Sequence, residues 1–212
     1  IIKTNLNDKL KTILEIAESD GKGFEPTSFC SACLIRKPPR SKHCGTCDQC
    51  VGKFDHHCPW VGNDIGYNNH RIFMLFLLLI LCIMILNLYG GIMFYKLSCN
   101  VASEDSLWNS ILVFNSCSLW VLWMILNALF HVFWVTILTT IQIYQIVFIG
   151  MTTNERINRG RYKHFIELDG KSPFHLGPWH NIADFLRCSC FGLCKVKRKN
   201  WMVFYNNSES HV

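Results

Sequence analysis

Residues Asp55-His56-His57-Cys58-Pro59-Trp60-Val61-Gly62 decide how the rest of this 212-residue chain is read. Upstream lies a run of closely spaced cysteines. Downstream lies an uncharged apolar segment of membrane length. A cysteine flanked by two histidines and an aspartate suits a nucleophile, a metal ligand, or both. Set at a bilayer surface, it points to chemistry on a lipidic group.

The apolar residues are concentrated in two blocks, Ile72 to Tyr95 and Leu119 to Ile149, neither of which contains Asp, Glu, Lys or Arg. As helices with ~1.5 Å rise per residue, both exceed the ~30 Å hydrocarbon core of a bilayer. Neither block is N-terminal, so neither reads as a signal peptide. The charges orient them. Residues 1–71 carry ten Lys/Arg, the loop 96–118 carries one, and residues 150–212 carry ten. Flanks rich in Lys/Arg stay in the cytosol, so both termini are expected there and the 96–118 loop on the lumenal side. The expected class is a membrane all-α protein, with two transmembrane helices and a small irregular cytosolic two-zinc domain. Its parts are an amphipathic linker (1–28), a cysteine-rich domain (29–71), a span (72–95), a lumenal loop (96–118), a second span (119–149) and a cytosolic tail (150–212). A short helix over Asp105 to Phe114 is expected inside the loop, anchored by Trp108. The chain opens Ile-Ile-Lys rather than with Met, which reads as an N-terminal truncation.

Twelve cysteines divide by compartment. Cys30, Cys33, Cys44, Cys47, Cys50 and Cys58 fall on the cytosolic side, where thiols stay reduced and close spacing signals metal binding. Cys99 and Cys117 share the lumenal loop and are candidates for a disulfide. Cys188, Cys190 and Cys194 lie in the tail, where they are candidates for acylation or for burial. Ahead of the cysteines, Leu6, Leu10, Ile13, Leu14 and Ala17 recur at helical spacing, so Thr4 to Ser19 reads as an amphipathic helix. Residues 24–71 show neither helical nor strand period, as expected of a metal-stapled module without a large core. The second span carries Asn127, His131, Thr136, Thr139, Thr140, Gln142 and Gln145, which at membrane depth face a bundle interior or a cavity. Phe130, Trp134 and Tyr144 are candidates to line an acyl channel there.

The ligand-type residues run Cys30-x2-Cys33, His43-Cys44-x2-Cys47-x2-Cys50 and His56-His57-Cys58. Zinc takes four N/S ligands, and a Cys-x2-Cys knuckle presents two thiolates to one ion. With Cys58 reserved for chemistry and one of the paired histidines set aside, seven Cys/His remain for two four-ligand sites. The eighth ligand must come from elsewhere. The spacing alone does not say which of His56 and His57 binds metal.

Residues 29–73 resemble the cysteine-rich domain of the DHHC protein S-acyltransferases, the palmitoyltransferases. The matching run is Cys30-x2-Cys33, Lys37-Pro38, Arg40, His43-Cys44-x2-Cys47-x2-Cys50, Asp55-His56-His57-Cys58-Pro59-Trp60-Val61, Asn63 and Asn69. Thr152-Thr153-Asn154-Glu155 is similar to the family's Thr-Thr-x-Glu motif, and Pro173-Phe174-x2-Gly177 with Asn181 to the conserved-asparagine segment of its tail. Thr152 to Arg156 and Arg161 to Phe165 look most like the ankyrin-repeat, huntingtin-interacting branch. The resemblance implies two interleaved zinc sites. One would use Cys30, Cys33, His43 and Cys50. The other would use Cys44, Cys47, His57 and the residue after Asn63, where this chain has Asp64 in place of the family's cysteine.

The resemblance further implies that Cys58 attacks the thioester of an acyl-CoA such as palmitoyl-CoA, with His56 as general base and Asp55 as its orienter. Thr153 would brace Asp55. Arg36, Lys37, Arg40, Lys42 and Lys53 are candidates to hold CoA phosphates or anionic headgroups. The implied partners are the membrane, acyl-CoA and proteins with cytosol-facing cysteines, with no nucleic acid. The implied setting is a multi-pass endomembrane protein of the Golgi or ER. The competing expectation is a non-enzymatic membrane adaptor that keeps the zinc module and leaves Cys58 idle.

Overall fold

A computed structural model of the chain describes residue 2 and residues 6–19, 29–98, 108 and 117–187. The contacts divide it into two units. One comprises residues 1–71 and 144–212, and the other residues 72–143. Apart from Trp108, which is exposed, the loop helix expected over 105–114 lies outside the described residues, as do Cys99 and the tail cysteines 188, 190 and 194.

The first unit opens with α1 (Leu6–Glu18), in which Leu6, Leu10 and Leu14 recur along one exposed apolar face. The cysteine-rich stretch is less irregular than the lack of periodicity implies. It is built of three two-stranded antiparallel hairpins: β1 (Phe29–Cys30) with β2 (Ile35–Arg36), β3 (Lys42–Cys44) with β4 (Gln49–Val51), and β5 (His56–Cys58) with β6 (Asn63–Ile65). Strands of two or three residues are too short to show a period-2 pattern.

The three hairpins repeat one design. In each, a cysteine ends the first strand and pairs with the residue five positions later: Cys30 with Ile35, Cys44 with Gln49, Cys58 with Asn63. In each, the residue before that partner takes a left-handed conformation: Leu34 at φ 54°, Asp48 at φ 49° and Gly62 at φ 58°. The leading cysteines are spaced at intervals of 14 residues, and so are Cys33 and Cys47, His43 and His57, and Cys50 and Asp64. The third hairpin lacks the second knuckle cysteine and has Val61 in its place.

Little apolar surface holds this module together. Its core consists of Cys30, Ile35 and Cys50 on one side and Cys44, Val51 and Phe54 on the other. So small a core needs staples. After β6 the chain turns at Gly66. There the main-chain N–H of Tyr67 donates to Gly52 O at 2.9 Å, and Asn69 bridges Gly66 N and Asp64 O. A Cβ on Gly66 would stand 2.7 Å from Val51 Cγ1 and 2.9 Å from Gly52 O.

Two helices are long and apolar enough to cross a membrane: α2 (His70–Ser98), and α3 (Leu119–Tyr144) with its extension to Ile149. Only 17% and 11% of their apolar windows are buried, unlike the core helices of a soluble protein. Within the second unit Gly91 of α2 lets Ile125 of α3 approach, since a Cβ there would meet Ile125 Cγ1 at 2.6 Å. Small residues serve helix contacts in lipid in this way. Tyr95 is buried and donates to Ser118 O at 2.5 Å, and Cys117 is disulfide-bonded. Two of the polar residues in α3 are satisfied within the helix. His131 Nδ1 donates to Asn127 O at 2.9 Å, and Thr139 Oγ1 donates to Val135 O at 2.7 Å. Phe130, Trp134 and Tyr144 are exposed.

At its end the second span loosens into a π-helical turn, Gln145–Ile149. Gly150 closes it at φ 65°, with the backbone of Phe174 and His175 packed where a Cβ would lie. Then come α4 (Thr153–Asn158), a 3₁₀ turn over Arg159–Arg161, α5 (Lys163–Ile166) and α6 (Pro178–Leu186). A core of Met151, Phe165 and Phe174 holds these together. Asn181 of α6 ties it to the π-helical turn, donating to Val147 O at 2.7 Å and accepting from Leu176 N at 2.9 Å.

The crowding at Gly66 yields the first expected outcome. Gly66→Ala forces Val51 and the Gly52 carbonyl apart and should destabilise the module by about 1–3 kcal/mol, as overpacking does. Thermal unfolding of the intact protein checks it, and a midpoint equal to wild type would show that the hairpin yields without cost.

Candidate active site and metal centres

The two interleaved ligand sets come together as separate clusters. Cys30, Cys33, His43 and Cys50 form one, and Cys44, Cys47, His57 and Asp64 the other, with ligand atoms within 4.8 Å of one another in each. In the first, His43 Nδ1 lies 3.5, 3.3 and 3.9 Å from the sulfurs of Cys30, Cys33 and Cys50. One ring nitrogen offers a single proton or lone pair, so it cannot bond three sulfurs. A tetrahedral zinc with bonds of ~2.3 Å to sulfur and ~2.0–2.1 Å to nitrogen has sulfur–nitrogen edges of about 3.5–3.6 Å. The observed separations bracket that edge.

In the second cluster His57 Nδ1 lies 3.9 and 3.4 Å from the sulfurs of Cys44 and Cys47, and 2.9 Å from Asp64 Oδ1. Asp64 is 4% exposed, and its Oδ2 is buried with no hydrogen-bond partner in the structure. An orphaned carboxylate oxygen inside a thiol cluster is costly unless a cation faces it. Burial, followed by the neighbouring Cys30 and Cys33 sulfurs, pushes the Cys50 thiol far above its usual value. Packed thiolates need a positive charge between them. Both donor sets therefore fit a tetrahedral ion such as zinc.

The hairpin geometry also separates the two histidines, which the sequence left open. Successive side chains on a strand point to opposite faces. In β5, His56 and Cys58 share one face and His57 the other. His57, paired in register with Asp64, enters the second metal cluster. The Cys58 sulfur therefore lies on the His56 side of the strand, where it helps to raise the imidazole. Cys58 belongs to neither metal cluster and is buried at 5% exposure. By the 14-residue repeat it is the leading cysteine of a knuckle whose second position is Val61.

Behind His56 stands Asp55, 1% exposed. Its Oδ2 meets His56 Nδ1 at 2.6 Å. Thr153 serves both oxygens of that carboxylate. Its main-chain N–H donates to Oδ1 at 2.6 Å and its hydroxyl to Oδ2 at 3.1 Å. Asn154 N donates to the Asp55 carbonyl at 3.1 Å, and Asp55 N to Ile65 O at 2.8 Å. Thr153 and Asn154 open α4, so the first amide of a helix points at the carboxylate, as helix dipoles favour, and the second at the Asp55 carbonyl. Burial opposes charge on His56, but the hydrogen bond to Asp55 and its charge, with Cys58 adding to them, raise the imidazole above its usual range.

The basic residues are less gathered than the sequence implies. Arg36 is half-exposed and 3.5 Å from Glu15 of α1. Lys42 lies over the Phe54 ring, 5.2 Å from its centre. Lys53 turns inward, 3.4 Å from Asp184 of α6, and its ammonium is held below its usual range by burial and then by Arg40. Lys37 sits half-buried at the turn into β3. Arg40 is 13% exposed at its side chain and grips Glu155 with two bonds of 2.6 Å. That pair, and the packing of Phe174 beneath it, were not visible in the sequence.

The family model of the DHHC palmitoyltransferases matches residues 23–160. The chain is 51% identical over its whole length to palmitoyltransferase Hip14 of Drosophila melanogaster. It is 47% identical over 97% of its length to palmitoyltransferase ZDHHC17 of Homo sapiens, and 39% identical over 96% to palmitoyltransferase ZDHHC13 of Homo sapiens. These similarities agree with the resemblance to the huntingtin-interacting branch. The chain spans about a third of the length of these curated relatives, 33% of each. The histidine–cysteine face of β5, the two ligand clusters and the match over most of the chain lead to one assignment: the chain belongs to the DHHC palmitoyltransferase family.

Proposed function

We propose that the protein is a protein S-palmitoyltransferase that works through an acyl-enzyme on Cys58. The observation that carries this reading is the line Asp55–His56–Cys58, with Asp55 buried and Cys58 outside both metal clusters. Asp55 accepts the hydrogen bond of His56 Nδ1–H, which fixes the tautomer so that Nε2 is the nitrogen that acts as base. His56 takes the Cys58 proton. The thiolate attacks the thioester carbon of palmitoyl-CoA, a carbon–sulfur bond forms to Cys58, and the bond to CoA sulfur breaks. CoA leaves with the proton returned by His56. A substrate cysteine thiol then gives its proton to His56 and takes the acyl group from Cys58. The curated relatives, named palmitoyltransferases, support the same reading.

Two zinc ions complete the module in this reading. Cys30, Cys33, His43 and Cys50 hold one, and Cys44, Cys47, His57 and Asp64 the other. The metal supplies structure, clamping β5 to the hairpin before it and so fixing where His56 and Cys58 stand. Asp64 falls where the repeat places Cys50 in the first site. It keeps the negative charge of a thiolate but is a harder ligand, so the second site holds zinc less tightly. The charge asymmetry supports two spans with the zinc module on the cytosolic side, where CoA thioesters and protein thiols meet, and the reading places that membrane in the Golgi or ER.

Cys58→Ser should abolish the hydroxylamine-sensitive adduct formed with palmitoyl-CoA while zinc content is unchanged. His56→Ala should slow its formation by ~100-fold or more with metal retained, whereas His57→Ala should lose metal. A loss of zinc from Cys58→Ser would make Cys58 a ligand and end the mechanism. Because the base must be unprotonated and its pKa is raised, the rate should fall on the acid side with a midpoint above ~6.5. Asp55→Asn should lower that midpoint as well as the rate, and an unmoved midpoint would exclude His56 as the titrating base.

Chelator competition tests the second site. Wild type should hold two zinc ions per chain, Asp64→Ala should lose one first, and Asp64→Cys should keep it longer than wild type. Equal release from wild type and Asp64→Ala would exclude the carboxylate as a ligand. Topology is read by glycosylation. An Asn-x-Ser/Thr acceptor inserted between Val101 and Asp105 should be modified, and one after Gly170 should not. A glycosylated tail would strand Cys58 away from cytosolic CoA.

A further inference from the structure

Arg40 stands in a loop between the first two hairpins, 15 residues before Asp55, yet it reaches Asp55 from two directions. Its main-chain carbonyl accepts from Phe54 N at 3.0 Å, which fixes the residue just before Asp55. Its own backbone is left-handed, at φ 65°. Its side chain takes the other route. Nε donates to Glu155 Oε1 and Nη2 to Glu155 Oε2, both at 2.6 Å, and Nη2 also donates to Gly150 O at 3.2 Å. The guanidinium lies 4.0 Å above the centre of the Phe174 ring. Planar, forked and stacked, this contact needs arginine rather than any other cation.

Glu155 passes the constraint on. Its Oε2 accepts from Thr152 N at 2.8 Å, while Thr152 Oγ1 accepts from Glu155 N at 3.3 Å, a capping box at the start of α4. The side chain is 4% exposed, so neither oxygen has water to turn to. The capping box sets the direction in which the next two amides point, and those amides, of Thr153 and Asn154, are the ones bound to Asp55. A rotation of α4 would withdraw three of the hydrogen bonds that hold Asp55.

We propose that Arg40 and Glu155 act as a positioning pair for the reaction, fixing α4 against Asp55 so that Asp55 holds His56 at Cys58. This rests on the acyl-enzyme reading above. It reassigns Arg40 from the CoA phosphates, for which the sequence made it a candidate, to the geometry of the triad. A guanidinium whose fork is closed on a buried carboxylate has few donors left for a phosphate. The two roles differ in which kinetic constant they touch. A phosphate contact strengthens palmitoyl-CoA binding, whereas a positioning contact sets the rate once the substrate is bound.

The test is single-turnover formation of the hydroxylamine-sensitive adduct by the intact protein across a range of palmitoyl-CoA concentrations. The variants are Arg40→Lys, Glu155→Gln and the two combined, with Cys58→Ser as the blank. Each single variant should lower the maximal rate about 10- to 100-fold, the size of effect a small misplacement of a catalytic group produces. The half-saturating palmitoyl-CoA concentration should stay within about twofold of wild type, and the double variant should be no slower than the worse single one. Zinc content monitors folding. If either variant loses zinc, Glu155→Asp keeps both charges, shortens the arm and is read instead. It should lower the maximal rate in the same way. A raised half-saturation with a normal maximal rate in Arg40→Lys, and normal kinetics in Glu155→Gln, would return Arg40 to the phosphates and overturn the proposal. So would a normal maximal rate per zinc-loaded molecule in all variants. If wild type itself forms no adduct, the acyl-enzyme reading fails first and the positioning role falls with it.

Discussion

The buried carboxylate of Asp55 is the interaction on which the site depends. At 1% exposure it cannot rely on water, so every lone pair must be met by the protein. Thr153 supplies an amide and a hydroxyl, and His56 supplies a ring nitrogen. These donors come from opposite ends of the first unit. His56 lies in the third hairpin, next to Asp55, and Thr153 lies 98 residues beyond Asp55, just past the second membrane-length helix. A charge buried in this way is tolerated only where its partners are held in place. The Arg40–Glu155 pair, the capping box at Thr152 and the Gly150 turn are the means by which they are held.

The second constraint is how small the core of residues 29–71 is. Six buried residues in two clusters are few to order three hairpins, and the two donor sets stand where metal ions would staple them. The 14-residue repeat shows how a thiol outside both donor sets arises within that economy. The first two hairpins each open a knuckle with a cysteine that joins a ligand set. The third opens one with Cys58, has Val61 where a second thiol would stand, and leaves the sulfur beside His56. The same repeat aligns Asp64 with Cys50, so the carboxylate stands at a ligand position on structural grounds as well as by resemblance.

Much of this was legible in the sequence, and the reasons are physical. Long uncharged runs and Cys-x2-Cys spacing are local signals and mark the helices and a metal-binding module, whereas the division into two ligand sets comes only from the family resemblance. Which histidine faces Cys58 was not legible, because it depends on strand alternation in a segment of three residues. The repeat is present in the spacing of Cys30, Cys44 and Cys58, but its structural meaning depends on the hairpins that carry it. The Arg40–Glu155 pair could not be read at all, since 115 residues separate the partners and a basic residue near a membrane is ordinarily a solvated flank. The inward turn of Lys53 to Asp184 was hidden for the same reason.

The central claim is that Cys58, spared by the metal sites, carries the acyl group. It is tested most directly by brief exposure of the intact wild-type protein to palmitoyl-CoA, followed by mass-spectrometric mapping of every cysteine. The account predicts one palmitoyl thioester on Cys58, removable by hydroxylamine, with Cys30, Cys33, Cys44, Cys47 and Cys50 unmodified. An acyl group on any of those five, or an unmodified Cys58 while another residue is acylated, would contradict it.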